Sequence, residues 1–105
     1  MTRIVFVEVN GTRHEVDAAD GLSLMEAARN NDIPGIAGEC GGLLACGTCH
    51  VYVDESWFAL TGGPQAAEAA MLEGLERRVS TSRLSCQLVL TPELCGLVAR
   101  VAEAE

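Results

Sequence analysis

Residues 37–53, "AGECGGLLACGTCHVYV", crowd three cysteines into a glycine-rich stretch. Cys40, Cys46 and Cys49 stand at C-x5-C-x2-C, and Cys86 follows on a distant segment. Whatever joins these sulfurs must bring a loop and a remote piece of chain together, and few folds allow that. Three readings compete. A structural zinc site sets its ligands in two close pairs, whereas here three share one loop and the fourth stands alone. A disulfide framework needs an oxidising compartment and leaves one of five cysteines over. A 2Fe–2S cluster takes four thiolates, and one known spacing places three on a loop at C-x4-C-x2-C with a distant fourth. The present spacing is that pattern with one extra residue.

The third reading also gives the small residues a purpose. Gly38, Gly41, Gly42 and Gly47, with Ala45 and Thr48, let main chain close around two irons and two sulfides. Main-chain N–H groups can then reach the sulfurs and help set the potential. Cys95 fits no ligand position and reads as a small apolar residue near a turn.

The chain around the loop has 105 residues, which suits one domain over 1–105. "RIVFVEV" reads as a strand, Asn10-Gly11 as a two-residue hairpin turn in which both positions tolerate positive φ, and "TRHEVD" as the returning strand. Ser23 and Glu26 form a capping box at the start of "SLMEAARNN", whose Leu24, Ala27 and Ala28 face inward. Pro34 and Gly35 end that helix. The cysteine loop fills about 36–49, and "HVYVD" is a short strand. A second helix covers about 65–76, with Ala66, Ala70 and either Met71 or Leu72 inward. "CQLVL" and Leu97–Val101 are further strands, and the last residues form a frayed tail. The order predicts an α+β fold of the β-grasp type: a mixed sheet with a helix across one face and a cluster-binding loop.

The formal charge is −8 and every cation is an arginine. Such a surface disfavours nucleic acid and anionic membranes, and favours a partner with a basic patch. No apolar run is long enough to span a membrane, and the N-terminus reaches turn residues too soon for a signal peptide. The expected home is the cytoplasm.

"GECGGLLACGTCHVYV", then "MLEG" and "SRLSCQLVLTPELCGLV", resembles the adrenodoxin-type 2Fe–2S ferredoxins, and within them the bacterial putidaredoxin branch. The resemblance runs from "NGTRHEVDAADGLSLMEAA" onward and so covers nearly the whole chain. It implies one 2Fe–2S cluster on Cys40, Cys46, Cys49 and Cys86, cycling between +2 and +1. It implies a one-electron carrier with no substrate chemistry of its own, a monomer that meets its partners transiently. Those partners would be an NAD(P)H-dependent flavoprotein ferredoxin reductase and a cytochrome P-450 monooxygenase. An alternative client is iron–sulfur cluster assembly. A third reading, a β-grasp binding module with structural zinc, differs in being colourless.

Glu39, directly before Cys40, matches in charge an acidic residue that pairs with an arginine of the monooxygenase in such proteins. Leu43 and Leu44 either form an apolar rim for docking or fold inward to shield the cluster. Glu68, Glu73 and Glu76 lie on the second helix, where related proteins carry an acidic patch for their partners. Here Ala66, Ala67, Ala69 and Ala70 thin that patch. His50 is expected to bond main chain near the loop, His14 to lie at the surface, and Arg83 to tie the Cys86 segment to Glu68 or Glu73. Trp57 reads as packing on a loop. The chain ends in "AEAE", without the aromatic C-terminal residue that serves partner binding in that branch.

Overall fold

The computed structural model describes residues 2–34, 36 and 50–102. Cys40, Cys46, Cys49, Glu39, Leu43 and Leu44 lie outside these residues, as does the tail from residue 103.

Strands β1 (Thr2–Val7) and β2 (Arg13–Ala18) form an antiparallel hairpin in which Val7 faces Arg13. The turn is longer than the two residues expected. Glu8 N–H donates to Thr12 O at 2.8 Å and Gly11 N–H to Glu8 O at 2.9 Å, so Val9, Asn10 and Gly11 all lie between the paired ends. Only Gly11 takes positive φ, 91°; Asn10 stays on the negative side and instead accepts the Thr12 N–H on its side chain at 2.9 Å. This is a three-residue hairpin, with glycine at the left-handed position.

Helix α1 (Leu24–Asn30) opens with the expected capping box: Ser23 Oγ accepts from Glu26 N–H and Glu26 Oε1 from Ser23 N–H, each at 3.0 Å. Leu24, Met25, Ala27 and Ala28 are buried. The helix ends earlier than Pro34–Gly35. Ile33 N–H reaches back to Ala28 O at 3.0 Å and Asp32 N–H to Arg29 O at 3.3 Å, with Asp32 at φ 54°. These are the paired bonds of a Schellman motif, carried by an aspartate rather than a glycine. Buried Ile33 closes the motif over Ala28.

Three further strands complete the sheet: β3 (His50–Val53), β4 (Ser82–Leu84) and β5 (Leu97–Val101). The spatial order is β2-β1-β5-β3-β4, with β1 and β5 parallel and every other pair antiparallel. This is the mixed β-grasp sheet. "CQLVL" is not one of its strands. Leu88 and Leu90 are buried and Val89 exposed, so the alternation is real. Its partner, however, is the approach to α1, through Leu24 N–H to Leu88 O and Leu90 N–H to Leu22 O, both 2.8 Å. The sheet strand sits just upstream.

Two helices lie on the return path. The short α2 (Glu55–Phe58) was expected as loop; Asp54 caps it by accepting from Ser56 N–H at 3.1 Å and Ser56 Oγ at 2.7 Å. Trp57 in α2 is half-buried over Gly96, where φ is 101° and a Cβ would come 3.2 Å from the indole ring. Helix α3 (Ala66–Glu73) turns Glu68 and Leu72 inward, while Ala66 and Ala70 are exposed. Ile4, Phe6, Leu24, Leu72, Leu84 and Leu97 belong to one apolar core, each such side chain contributing about 1.5–3 kcal/mol on burial. Among the described residues no helix is long and apolar enough to cross a membrane.

Candidate metal centre

The β3–β4 ladder joins two strands that each adjoin a cysteine in the chain. His50 opens β3 and pairs with Leu84. Cys49 precedes His50 in the chain, and Cys86 follows Leu84 by two residues. Pairing the two strands thus brings the point where the cysteine loop joins β3 next to the segment that carries Cys86.

Cys86 lies in a 3-10 turn, Ser85–Gln87, directly after β4. Ser85 is fully buried, Cys86 half-buried against the core and Gln87 exposed. Helix α1 packs on this turn, so the sulfur rests on a supported piece of backbone. Gln87 Nε2 donates to Cys86 Sγ at 3.5 Å. A half-buried free thiol with a donor on its sulfur suits a thiolate ligand. Among the described residues no three His, Cys, Asp or Glu side chains gather around a common point; the other three expected thiols lie outside those residues. Cys95 is a second free thiol, exposed in the turn before β5.

Beneath the turn lies a buried ion pair. Arg83 Nε donates to Glu68 Oε2 at 2.6 Å and Nη2 to Oε1 at 3.1 Å, with side-chain exposures of 5% and 4%. Leu84 N–H also donates to Glu68 Oε2, at 3.0 Å. Arg83 Nη1 is buried with no hydrogen-bond partner among the described residues. The expected tie from Arg83 to a carboxylate is therefore made by Glu68. The same contact corrects the placing of Glu68 among partner-facing acids. Its carboxylate is consumed inside the protein, because the Arg83 charge and the Leu84 amide need an acceptor where water does not reach. Glu73 and Glu76 remain at the surface, but the helix expected over about 65–76 ends at Glu73 with Gly74 as its cap, so Glu76 lies beyond it.

His50 is 6% exposed, and its Nε2 meets Ser82 Oγ at 2.7 Å. That bond goes to a hydroxyl on the neighbouring strand β4. Ser82 Oγ also accepts from Val79 N–H at 2.9 Å. The imidazole stands edge-on to the Tyr52 ring, 4.9 Å between centroids, and Tyr52 Oη donates to Arg77 O at 2.8 Å. His50 is thus a structural post at the mouth of the cysteine loop. His14 is less exposed than expected, since it meets Glu8 Oε2 at 2.5 Å across the hairpin. Gln87 and Ser82 were missed in the sequence, where neither residue type differs from ordinary surface composition.

A groove of about 630 Å³ runs past Gln87 and Arg83 to the start of α3. Leu60 and Val89, two of the most exposed large apolar side chains described, stand on its walls.

A family described as the 2Fe–2S iron–sulfur cluster binding domain matches residues 7–91. Putidaredoxin of Pseudomonas putida is 44% identical over 106 residues, covering 100% of this chain and 99% of its own. The crystal structure of a ferredoxin from Rhodopseudomonas palustris HaA2 superposes with a TM-score of 0.93 at 46% identity, over 98% of both chains. The covalent putidaredoxin reductase–putidaredoxin complex contains a chain that superposes with a TM-score of 0.93 at 45% identity, covering 98% of this chain and 100% of that one.

Proposed function

This chain belongs to the 2Fe–2S iron–sulfur cluster binding family and is an electron carrier with one such cluster, and from that premise we propose which residues hold it and whom it serves. Residues 1–105 form a single carrier domain, and Cys40, Cys46, Cys49 and Cys86 are the four ligands. The observation that carries the assignment is the position of Cys86 on a buttressed turn, two residues beyond the strand partner of His50.

The bound cluster supplies one-electron chemistry, between +2 and +1 core charge. The chain's own residues do the rest. Helix α1 and the Glu68–Arg83–Leu84 contacts hold the Cys86 turn in one conformation. A fixed ligand frame limits rearrangement when charge is added. His50, tied to Ser82, holds the join between loop and sheet.

The carrier takes one electron from an NAD(P)H-dependent flavoprotein reductase and gives it to a cytochrome P-450 monooxygenase, in transient complexes and in the cytoplasm. The solved complex of putidaredoxin with its reductase, whose carrier chain is 45% identical, supports the first partner. The resemblance to the putidaredoxin branch supports the second. Glu39, Leu43 and Leu44 beside the ligands, with Glu73 at the end of α3 and Glu76 just beyond it, are the proposed docking residues.

Purified protein should be red-brown, contain two irons and two acid-labile sulfides per chain, and give an S = 1/2 EPR signal on reduction. Cys86→Ser should lose or badly weaken the cluster and Cys95→Ser should leave it intact; the reverse result would overturn the ligand assignment. Turnover reconstituted with a candidate reductase and monooxygenase tests the client. If electrons enter from the reductase but no monooxygenase accepts them, the P-450 reading fails.

A further inference from the structure

Gln87 is an exposed polar residue on a turn, and exposed glutamines ordinarily point into solvent. This one instead lays its amide against the sulfur before it, Nε2 donating to Cys86 Sγ at 3.5 Å. The turn that carries both residues is fixed from beneath. Ser85 is fully buried, Leu88 N–H donates back to Ser85 O at 3.4 Å, and α1 packs on the turn. The donor and the sulfur therefore belong to one short, supported piece of chain.

We propose that Gln87 is a tuning residue: its side-chain amide raises the reduction potential of the centre by donating to the Cys86 sulfur. The inference rests on the reading of Cys86 as a ligand. Its physical basis is differential. Reduction adds one electron to a group whose ligands are thiolates, so the Cys86 sulfur is more negative afterwards. A hydrogen bond to a more negative acceptor is stronger, and hydrogen bonds to sulfur are an established lever on such potentials. The lever works against the background of this chain, whose charge of −8 opposes the incoming electron.

The test uses the intact holoprotein and two substitutions that separate hydrogen bonding from charge. Gln87→Leu removes the donor without adding charge, and Gln87→Glu removes the donor and adds a negative charge. Each protein is equilibrated with a redox dye of known potential, which gives up one electron for each one taken up. The reduced-to-oxidised ratio is read from the visible spectrum. Only the change in this hydrogen bond on reduction counts, and Gln87 is exposed to water. The expected fall for Gln87→Leu is therefore about three- to tenfold, with tenfold corresponding to about 59 mV. Gln87→Glu should fall further.

If Gln87→Leu matches the wild type while Gln87→Glu falls, the effect is charge alone and the proposal is wrong. If both match the wild type, it is wrong as well. Should Gln87→Leu not retain a cluster, Gln87→Met serves as the neutral variant, read in the same way. Absence of visible absorption and of the EPR signal in the wild-type protein would overturn the underlying cluster reading, a failure distinct from an unshifted potential.

Discussion

Two arginine–carboxylate pairs in this molecule share their chemistry and little else. Arg3 and Asp17 meet across the β1–β2 hairpin through one contact of 3.2 Å, with side-chain exposures of 55% and 56%. Arg83 and Glu68 meet through a two-point fork with exposures of 5% and 4%, and Glu68 also holds the Leu84 amide. Water competes freely for the first pair and hardly at all for the second. An exposed pair of this kind is screened and close to neutral for stability. A buried one gives little net gain over an apolar replacement but is costly to break from one side. The contrast also sorts the acids of α3. Glu68 is committed to the frame beneath Cys86, whereas Glu73, the last residue of α3, lies at the surface.

The largest effect follows from removing one half of the buried pair. Glu68→Ala leaves the Arg83 guanidinium without its counter-charge and the Leu84 N–H without its acceptor. The expected cost is about 3–5 kcal/mol, read as a lower urea midpoint by circular dichroism on the holoprotein. A shift no larger than that of Arg3→Ala would break the comparison. The sharper form is the double replacement Glu68→Gln with Arg83→Met. The introduced side-chain amide can still accept from Leu84 N–H and no buried charge remains, so stability should return to within about 2 kcal/mol of the wild type. If the double variant were as unstable as Glu68→Ala, the charge pair itself would be the source of stability and the desolvation argument would fail.

The same contrast decides the kinetics. Reductase association should slow with added salt, since steering by exposed acids is screened. Replacing Glu73 by Gln should flatten that dependence by less than one decade in rate over the salt range, whereas Glu68→Gln should leave the slope unchanged. Stopped-flow rates at several ionic strengths measure both. A slope altered by Glu68 and not by Glu73 would return Glu68 to the docking surface.

What the sequence made legible follows from which signals are local. The capping box at Ser23 and Glu26 is written in two residues and appears as expected. The strands at residues 2–7 and 97–101 carry enough β-branched residues to read directly. The cysteine spacing favours a 2Fe–2S cluster over zinc or disulfides without excluding zinc, and the family match supplies the cofactor. Other features depend on partners that no local pattern names. Whether Leu88 and Leu90 pair with the sheet or with residues 22–24 is a tertiary choice, as is the burial of Glu68, whose charge suggested the surface. The stop of α1 at Asp32 was hidden because aspartate rarely takes the left-handed position, which drew attention to Pro34 and Gly35 instead.

The exposed pair should give the small end of the scale. Arg3→Ala should leave the urea midpoint unchanged within error, because solvent replaces what Asp17 provides. Nor should Arg3 contribute any pH dependence. Its hydrogen bond to Asp17 moves its ionisation further up from an already high value, beyond the range where the protein is handled. A midpoint that moved with this substitution would show that exposure is a poor guide to these pairs.

Asp54 extends the comparison to a carboxylate that is fully exposed yet still perturbed. Its carboxyl is held below the usual carboxylate range, chiefly by the hydrogen bond from Ser56 Oγ and then by that from Ser56 N–H. The folded value therefore lies below the unfolded one of about 3.9. The stability Asp54 contributes is present above that unfolded value and is lost as pH falls through the folded one. Asp54→Asn keeps an acceptor for the α2 cap and removes the ionisation. The stability difference between wild type and variant should be constant near neutrality and shrink on going from about pH 6 to about pH 3. A difference that stayed flat would mean that the cap acts through its geometry alone. A shrinking one would show that two bonds from a single neighbouring serine tune a carboxylate in full contact with water, where an ion pair in the same setting adds nothing measurable.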